Sequence, residues 1–360
     1  MIQLPSLDIT DRYQTRFLLF DDLKTMWNVV DGQDISPVIL VADANVRKTH
    51  REKLDGVFPP ESTRCFEVPS GEDSKSITIW KRIIDFCFSG PVRRNIPLVA
   101  VGGGVTGDLA GFAAASLLRG LPLYHVPTTL LAMVDSAIGG KTGINHSYGK
   151  NTIGAFYHPR AVLFDTDFLE TLPEREWLCG ISEVLKYGYI ADRDLLDQAV
   201  LLAEPGARTR DLLNRVIERS VGIKSSIVAD DAREAGKRAW LNFGHTFGHA
   251  LETLDNYRNI NHGEAVYAGM IAALFVSRKV GYPVSDEPLL VLRDVYRLNL
   301  RPYTSSTDQL VTLMTHDKKN RNNHIRLVLI HKHGKPVIQT LDDKTLLKEA
   351  WNYTFEQLSR

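Results

Sequence analysis

Short apolar runs that each stop at a turn signal set the tightest limit on how this chain can fold. Pro37–Ala42 (P-V-I-L-V-A) ends at Asp43, and Pro97–Val101 (P-L-V-A-V) ends at a glycine run. Runs with no polar alternation fit strands covered on both faces, as in parallel sheets flanked by helices. Leu121–Val126 and Ala161–Phe164 are further strand candidates, and Ile77–Phe88 carries helical spacing. Strands separated by helix-length segments predict an α/β, Rossmann-like N-terminal part, and sheets of that kind bind ligands at the carboxyl ends of their strands.

From Leu172-Pro173 onward the pattern changes. Glu174–Ile190, Arg208–Val228, Arg238–Leu254, Glu264–Val280 and Glu287–Leu298 read as amphipathic helices, with one late strand at Ile325–Ile330. A boundary near residue 173 therefore divides an α/β domain (1–173) from a mainly α-helical C-terminal domain (174–360).

Charge and cysteine usage narrow the partners. The 43 basic and 43 acidic residues cancel, and no basic run stands out, so neither nucleic acid nor an anionic membrane is an expected partner. Cys65, Cys87 and Cys179 are far apart and lack metal spacing. They read as reduced core residues in a reducing compartment. The N-terminus lacks a basic flank followed by an apolar run, and no segment is long and apolar enough to span a membrane. A cytoplasmic location is expected.

The stretch from Trp240 to Glu264 holds three of the eleven histidines, His245, His249 and His262. At about 100° per residue, Phe243, Phe247, Ala250, Leu251 and Leu254 share one helix face, while His245, His249 and Glu252 share the opposite one. A polar face of this kind looks into a cleft or a metal, or carries histidines satisfied in other ways. The His-Gly-Glu at 262–264 supplies another potential ligand, and the nitrogen and carboxylate set suits zinc or a similar divalent ion.

Gly102, Gly104 and Gly107 fit G-x-G-x-x-G between a strand and a helix, a pattern that brings backbone amides to a pyrophosphate. The acidic residue expected about 20 positions later for a ribose is missing, and Asp43 is the natural substitute. Gly139-Gly140-Lys141-Thr142 resembles the end of a P-loop without its leading glycine, and Lys150 follows Gly149. Two lysines on glycine-rich turns suggest phosphate or substrate binding, although each alone could be a solvated loop lysine. Glu183 and Lys186 sit at i, i+3, a spacing usual for a surface ion pair. Lys224, Arg238 and Asn242 add a further polar set.

Together these segments resemble the 3-dehydroquinate synthase family of sugar phosphate cyclases over nearly the whole chain. The resemblance rests on G-E-D-S-K at 71–75, G-G-G-V-T-G-D-L-A-G-F-A-A at 102–114, V-P-T-T-L-L at 126–131 and V-D-S-A-I-G-G-K-T-G-I-N at 134–145. G-K-N-T-I-G-A-F at 149–156, E-V-L-K-Y-G at 183–188, L-N-F-G-H-T-F-G-H-A-L-E at 241–252, H-G-E at 262–264 and H-D-K-K-N at 316–320 complete it. Leu117-Leu118 before Arg119, Ser182 before Glu183 and Tyr148 before Gly149 depart from the family's commonest pattern.

The resemblance implies Zn2+ or Co2+ held by Glu183, His245 and His262, in place of a His245/His249 pair. It implies NAD bound by Asp43, Asn45, Glu72, Lys75, Gly103, Gly104, Val105, Asp108, Thr128, Thr129, Lys141, Lys150, Phe168, Thr171 and Leu172. Asp135, Lys141, Asn151, Lys186, Asn242, His249 and Lys318 would surround a sugar phosphate. Lys224 and Arg238 would take a substrate carboxylate, and Arg119 would reach the phosphate across a homodimer interface. The implied reaction turns 3-deoxy-D-arabino-heptulosonate 7-phosphate into 3-dehydroquinate by transient oxidation at carbon 5, β-elimination of phosphate, reduction and aldol closure. The alternatives are a cyclase for another sugar phosphate, with no carboxylate to hold, and a metal-dependent alcohol dehydrogenase, which would release reduced NAD.

Overall fold

The computed structural model describes residues 14–20, 22–31, 37–231, 236–315 and 324–359. The chain forms two compact units, one of Met1–Pro127 with Gly140–Asp165, the other of Thr128–Gly139 with Thr166–Arg360. The units are thus discontinuous in sequence, whereas the sequence suggests a single cut near 173.

The first unit is built on a sheet of β1 (Arg16–Leu19), β2 (Val38–Asp43), β3 (Thr63–Val68), β4 (Leu98–Gly102), β5 (Leu123–Pro127) and, later in the chain, β8 (Ala161–Phe164). Their order is β1-β8-β5-β4-β2-β3, with every described pairing parallel. Strands β4, β5 and β8 are buried throughout. The sheet strands that follow a proline begin just after it, because proline cannot donate to the ladder. The carbonyls of Pro97 and Pro122 still accept, from Ile39 and Leu98 at 3.0 and 2.8 Å. The two edge strands were not apparent in the sequence, since β1 and β3 are partly exposed and interrupted by polar residues.

Helices α1 (Leu23–Asp31), α2 (Ala44–Thr49), α3 (Arg51–Val57), α4 (Ile77–Phe88) and α5 (Gly104–Ser116) accompany the sheet. Leu109, Ala110, Ala113 and Ala114 of α5 and Ile83 and Cys87 of α4 share one core with Ile39, Val41, Leu98 and Ala100. Each fully buried aliphatic side chain there contributes on the order of 2 kcal/mol. Beside this core lies an antiparallel hairpin, β6 (Lys141–His146) and β7 (Gly149–Phe156), where glycine-rich turns were expected. It comes close to α5 at Gly111, where a Cβ would fall 2.4 Å from Thr142 Cγ2.

The second unit is mainly helical: α6 (Glu174–Ile190), α7 (Asp194–Ala203), α8 (Arg210–Asp230), α9 (His245–Leu254), α10 (His262–Lys279), α11 (Glu287–Leu290), α12 (Arg293–Tyr296), α13 (Thr307–Thr315) and α14 (Lys344–Leu358). Strands β9 (Ile325–Lys332) and β10 (Lys335–Leu341) pair antiparallel, so the expected late strand has a partner. Its turn is tied to α6 by Gly334 N–H donating to Tyr189 O at 3.0 Å.

The helix expected over 238–254 is instead broken. A 3-10 turn spans Lys237–Asn242, Gly244 takes a left-handed φ of +80°, and α9 starts at His245. Left-handed backbone is cheap only for glycine, and a Cβ at Gly244 would also lie 2.6 Å from Met270 Cγ. The helix expected over 287–298 is likewise two short turns, α11 and α12, closed by Arg297 at φ +47°. Among the described residues no helix is long and apolar enough to cross a membrane.

Candidate active site

Helices α6, α9 and α10 each contribute one side chain to a cluster whose ligand atoms lie within 4.8 Å of one another: Glu183, His245 and His262. Close backbone approach makes this convergence possible. A Cβ on Gly263 would fall 2.3 Å from Cys179 Cα, and one on Gly269 would fall 2.1 Å from Gly244 O. Only hydrogen fits at either crossing. His262 is the first residue of α10, placed there by a capping box in which Asn261 and Glu264 exchange side-chain and backbone hydrogen bonds. Glu264 also receives Arg175 Nε at 2.7 Å and Nη2 at 2.6 Å. The glutamate of His-Gly-Glu is therefore a cap and an ion-pair partner.

Glu183 is fully buried, and its Oε1 has no hydrogen-bond partner. That oxygen lies 3.6 Å from Nε2 of His245 and 3.6 Å from Nε2 of His262. An ion with bonds of about 2.1 Å at tetrahedral angles separates its ligand atoms by about 3.4 Å. A buried carboxylate oxygen without a donor is costly, and a divalent cation would remove that cost. The donor set of one carboxylate and two imidazoles leaves a position for substrate or water. It fits a catalytic zinc-type ion.

Both imidazoles are oriented from behind. His245 Nδ1 lies 3.1 Å from Phe243 O, which turns Nε2 toward Glu183. His262 Nδ1 faces the buried Glu252 Oε2 at 3.6 Å. Burial would lower the His262 pKa, but Glu183 and Glu252 raise it. Glu252, expected on a polar helix face, is buried as this partner. His249 stands beside the cluster, its ring centroid 5.5 Å from that of His245.

A buried network adjoins the metal cluster. Lys186, almost fully buried, touches Glu183 Oε2 and lies 3.2 Å from Asp135 Oδ1. The expected surface ion pair at 183 and 186 is thus an interior one. Asp135 sits in a π-helical turn, Ala132–Ser136, a local widening frequent at functional sites. Lys224 of α8 reaches Asp135 Oδ1 at 2.9 Å and its main-chain oxygen at 2.7 Å. Tyr187 O–H donates to the same carboxylate at 2.7 Å. Burial alone would raise the Asp135 pKa, but Lys186, Lys224 and the hydrogen bonds from Lys224 and Tyr187 hold it well below its usual range. Lys186 stays charged because Asp135 and Glu183 outweigh its burial. Lys224 is pulled down to about 8 by burial and by Lys186, against Asp135. Arg238, also buried, donates from Nη2 to Gly139 O at 3.0 Å. Within E-V-L-K-Y-G at 183–188, it is the contact to Asp135 that gives Tyr187 a place in the network.

The first unit presents a surface of its own. Gly102 ends β4, and Gly103 precedes α5 without any side-chain cap, leaving the first amides of α5 for an external acceptor. Between β2 and β4 the strand order reverses, the position at which such sheets take nucleotides. Asp43 stands at the end of β2, where its Oδ1 caps α2 by accepting from Asn45 and Val46 and also takes Ser70 Oγ at 2.7 Å. Lys75 and Asp108 pair at 2.5 Å. Glu72 accepts from Asn145 Nδ2 at 2.7 Å, which ties β6 to this surface. Val105 follows in α5, and Lys141, Lys150 and Asn151 lie on the β6–β7 hairpin, with Asn151 at φ +53°. Arg119 ends a short turn at φ +67°.

Thr128, Thr129, Phe168, Thr171, Leu172 and Asn242 belong to the second unit. The buried Thr128 Oγ1 has no partner, and Thr129 Oγ1 accepts from Ala132 N at 3.1 Å. Lys318 lies outside the described residues.

Residues 65–179 match the model for the 3-dehydroquinate synthase N-terminal domain, and residues 180–320 match that for the C-terminal domain. A 3-dehydroquinate synthase of Salinibacter ruber is 40% identical over 355 residues, covering 96% of each chain. The fold is that of 2-epi-5-epi-valiolone synthase from Streptomyces hygroscopicus, solved with NAD+ and Zn2+, at a TM-score of 0.86 and 23% identity over 98% of this chain and 99% of that one. A 2-deoxy-scyllo-inosose synthase complexed with carbaglucose-6-phosphate, NAD+ and Co2+ aligns at a TM-score of 0.77 and 26% identity, covering 94% and 96%. The chain belongs to the 3-dehydroquinate synthase family.

Proposed function

We infer that this protein is an NAD- and divalent-metal-dependent carbon–oxygen lyase that converts 3-deoxy-D-arabino-heptulosonate 7-phosphate into 3-dehydroquinate and phosphate. The observation that carries this reading is the buried arrangement along residues 135–139. There Lys186, Lys224 and Arg238 bring three cations to backbone and carboxylate positions that adjoin the metal cluster through Glu183. Such a site suits a substrate bearing both a phosphate and a carboxylate.

When bound, NAD supplies a reversible hydride acceptor and the metal a Lewis acid, so oxidation at one carbon acidifies its neighbour and no net oxidation results. Glu183, His245 and His262 are proposed to hold the metal. Asp43, Asn45, Glu72, Lys75, Gly103, Gly104, Val105 and Asp108, with Lys141 and Lys150 of the hairpin, are proposed for NAD, joined by Thr128, Thr129, Phe168, Thr171 and Leu172. Lys224 and Arg238 take the substrate carboxylate, the planar guanidinium suiting a bidentate contact. Asp135, Lys186, Asn242 and His249 surround the sugar, with Lys141, Asn151 and Lys318 serving the phosphate end. Lys186, held charged between two carboxylates, fixes Asp135 and offers a donor to a developing oxyanion. We further propose a cytoplasmic homodimer in which Arg119 serves the partner's phosphate site, and no role for nucleic acid or membrane.

Metal-replete protein with NAD is incubated with 3-deoxy-D-arabino-heptulosonate 7-phosphate, and with sedoheptulose 7-phosphate in parallel, following phosphate release and reduced NAD. Turnover of the first without accumulation of reduced NAD, lost in Arg238→Ala, is the expected result. Turnover of the second alone would assign another cyclase. Net NAD reduction would assign a dehydrogenase.

A further inference from the structure

Away from the metal-facing side of α6, a buried pair of hydroxyls links the two chain segments that carry Glu183 and His262. Ser182 Oγ lies 2.8 Å from Gly263 O, 2.8 Å from Tyr296 Oη and 3.1 Å from Leu178 O. Tyr296 Oη lies a further 2.8 Å from Leu178 O. Ser182 is completely buried, Tyr296 nearly so, and the Tyr296 ring stacks on Tyr267 at 3.9 Å between centroids.

Two hydroxyl protons cannot serve all four contacts. The order Tyr296 O–H to Ser182 Oγ and Ser182 O–H to Gly263 C=O satisfies two of the three 2.8 Å contacts, leaving the one to Leu178 O without a proton, and polarises the second bond through the first. Its sequence position gives the relay its consequence. Ser182 immediately precedes Glu183, and Gly263 immediately follows His262. The bond Ser182 to Gly263 therefore joins the backbones of two proposed metal ligands at the point where α6 and α10 touch through Cys179 and Gly263.

We propose that Ser182 and Tyr296 are positioning residues that fix the separation of Glu183 and His262 and so set the affinity of the metal site. The proposal rests on the metal-site reading above. Groups that orient ligands from outside commonly change metal affinity by roughly 10- to 100-fold when removed. Ser182→Ala removes the bond to Gly263 but leaves Tyr296 an acceptor at Leu178 O, so the variant keeps its buried tyrosine satisfied. Tyr296→Phe keeps the ring stack and the bond to Gly263, and loses the donor that strengthens it together with the contact to Leu178 O.

The test is a titration of metal-free full-length protein with Zn2+ against a chromogenic chelator, alongside thermal melting. Ser182→Ala should weaken binding about tenfold, Tyr296→Phe by less, and the double variant no more than Ser182→Ala, because the hydroxyls act in series. Ser277→Ala is the control. That serine is also buried on α10, where it donates to Ala273 O and accepts from Ile330 N. It should lower the melting temperature and leave Zn2+ affinity unchanged. If Ser182→Ala behaves like Ser277→Ala, the proposal is overturned while the metal site stands. If Ser182→Ala does not fold, Tyr296→Phe decides: weakened binding supports the proposal, and parental affinity overturns it. Loss of Zn2+ binding in Glu183→Gln secures the site itself, whereas a parent protein that binds no Zn2+ would overturn the metal reading and this proposal together.

Discussion

Lys224 holds Asp135 twice, at the carboxylate Oδ1 (2.9 Å) and at the main-chain oxygen (2.7 Å). A single side chain from α8 thereby fixes both the position of the π-helical turn and the direction of its acid. With Lys186 on the same oxygen, two ammonium groups share one carboxylate in the interior. Removing that carboxylate's charge leaves two buried cations with Glu183 alone. Asp135→Asn is expected to destabilise the protein by about 3 kcal/mol at neutral pH, the scale for breaking a buried ion pair from one side. Urea unfolding of parent and variant measures it, and a loss below about 1 kcal/mol would mean that the lysines are compensated elsewhere.

The Lys224 pKa of about 8 predicts a pH limit on substrate binding. In the role proposed for Lys224, the substrate carboxylate is held by the ammonium, which is present below that value and lost above it. The KM for the carboxylate-bearing substrate should climb above pH 8, reaching about tenfold by pH 9 on a single titration. Lys224→Arg, with a guanidinium that does not titrate in this range, should flatten the rise even if its KM is higher throughout. A parental rise that persists unchanged in Lys224→Arg would assign the titration to another group.

The sheet was legible wherever burial on both faces had removed polar residues, as in β4 and β8. It was hidden at the edges, where Thr63, Arg64 and Glu67 interrupt β3. Periodicity alone joined Arg238–Leu254 into one helix, because it cannot register a glycine whose positive φ and contact with Met270 are tertiary facts. The histidines pointed to a candidate metal site, but spacing favoured His245 with His249. The residue that completes the cluster, Glu183, is far away in sequence and looks like half of a surface ion pair. Only the crossing of α6 and α10 explains its place. Tyr187 and Tyr296 show the same limit, since their roles depend on neighbours more than 50 residues away.

His125, in the middle of β5, gives a stability test of the sheet. It is buried, and burial lowers its pKa to about 4. The unfolded chain, with an ordinary pKa near 6.5, takes up the proton first as pH falls. The neutral form's contribution is therefore complete above pH 6.5, declines between about 6.5 and 4, and changes no further below. The full swing is on the order of 3 kcal/mol. Comparing urea unfolding of parent and His125→Gln at pH 7.5 and pH 5 isolates it from carboxylate titration. The parent should lose more stability over that interval, and equal losses would show that the buried imidazole is not linked to folding.

Gly263→Ala tests whether close helix approach is what assembles the metal cluster. The new methyl would sit 2.3 Å from Cys179 Cα and 2.7 Å from Cys179 O, both backbone atoms that cannot swing aside. Relief requires α6 and α10 to separate, at a cost of roughly 1–3 kcal/mol for overpacking a tight interior. The same movement carries Glu183 away from His262, stretching a gap that already stands at 3.6 Å. The variant should therefore lose metal affinity by at least tenfold as well as stability. Gly222, on α8 with nothing within 4 Å of its would-be Cβ, provides the matched substitution. Gly222→Ala should keep parental affinity and, as an alanine within a helix, melt no lower than the parent. Zn2+ titration and melting of the two variants together distinguish the cases. A Gly263→Ala protein that melts early yet binds Zn2+ like the parent would show that the ligands are positioned independently of the helix crossing.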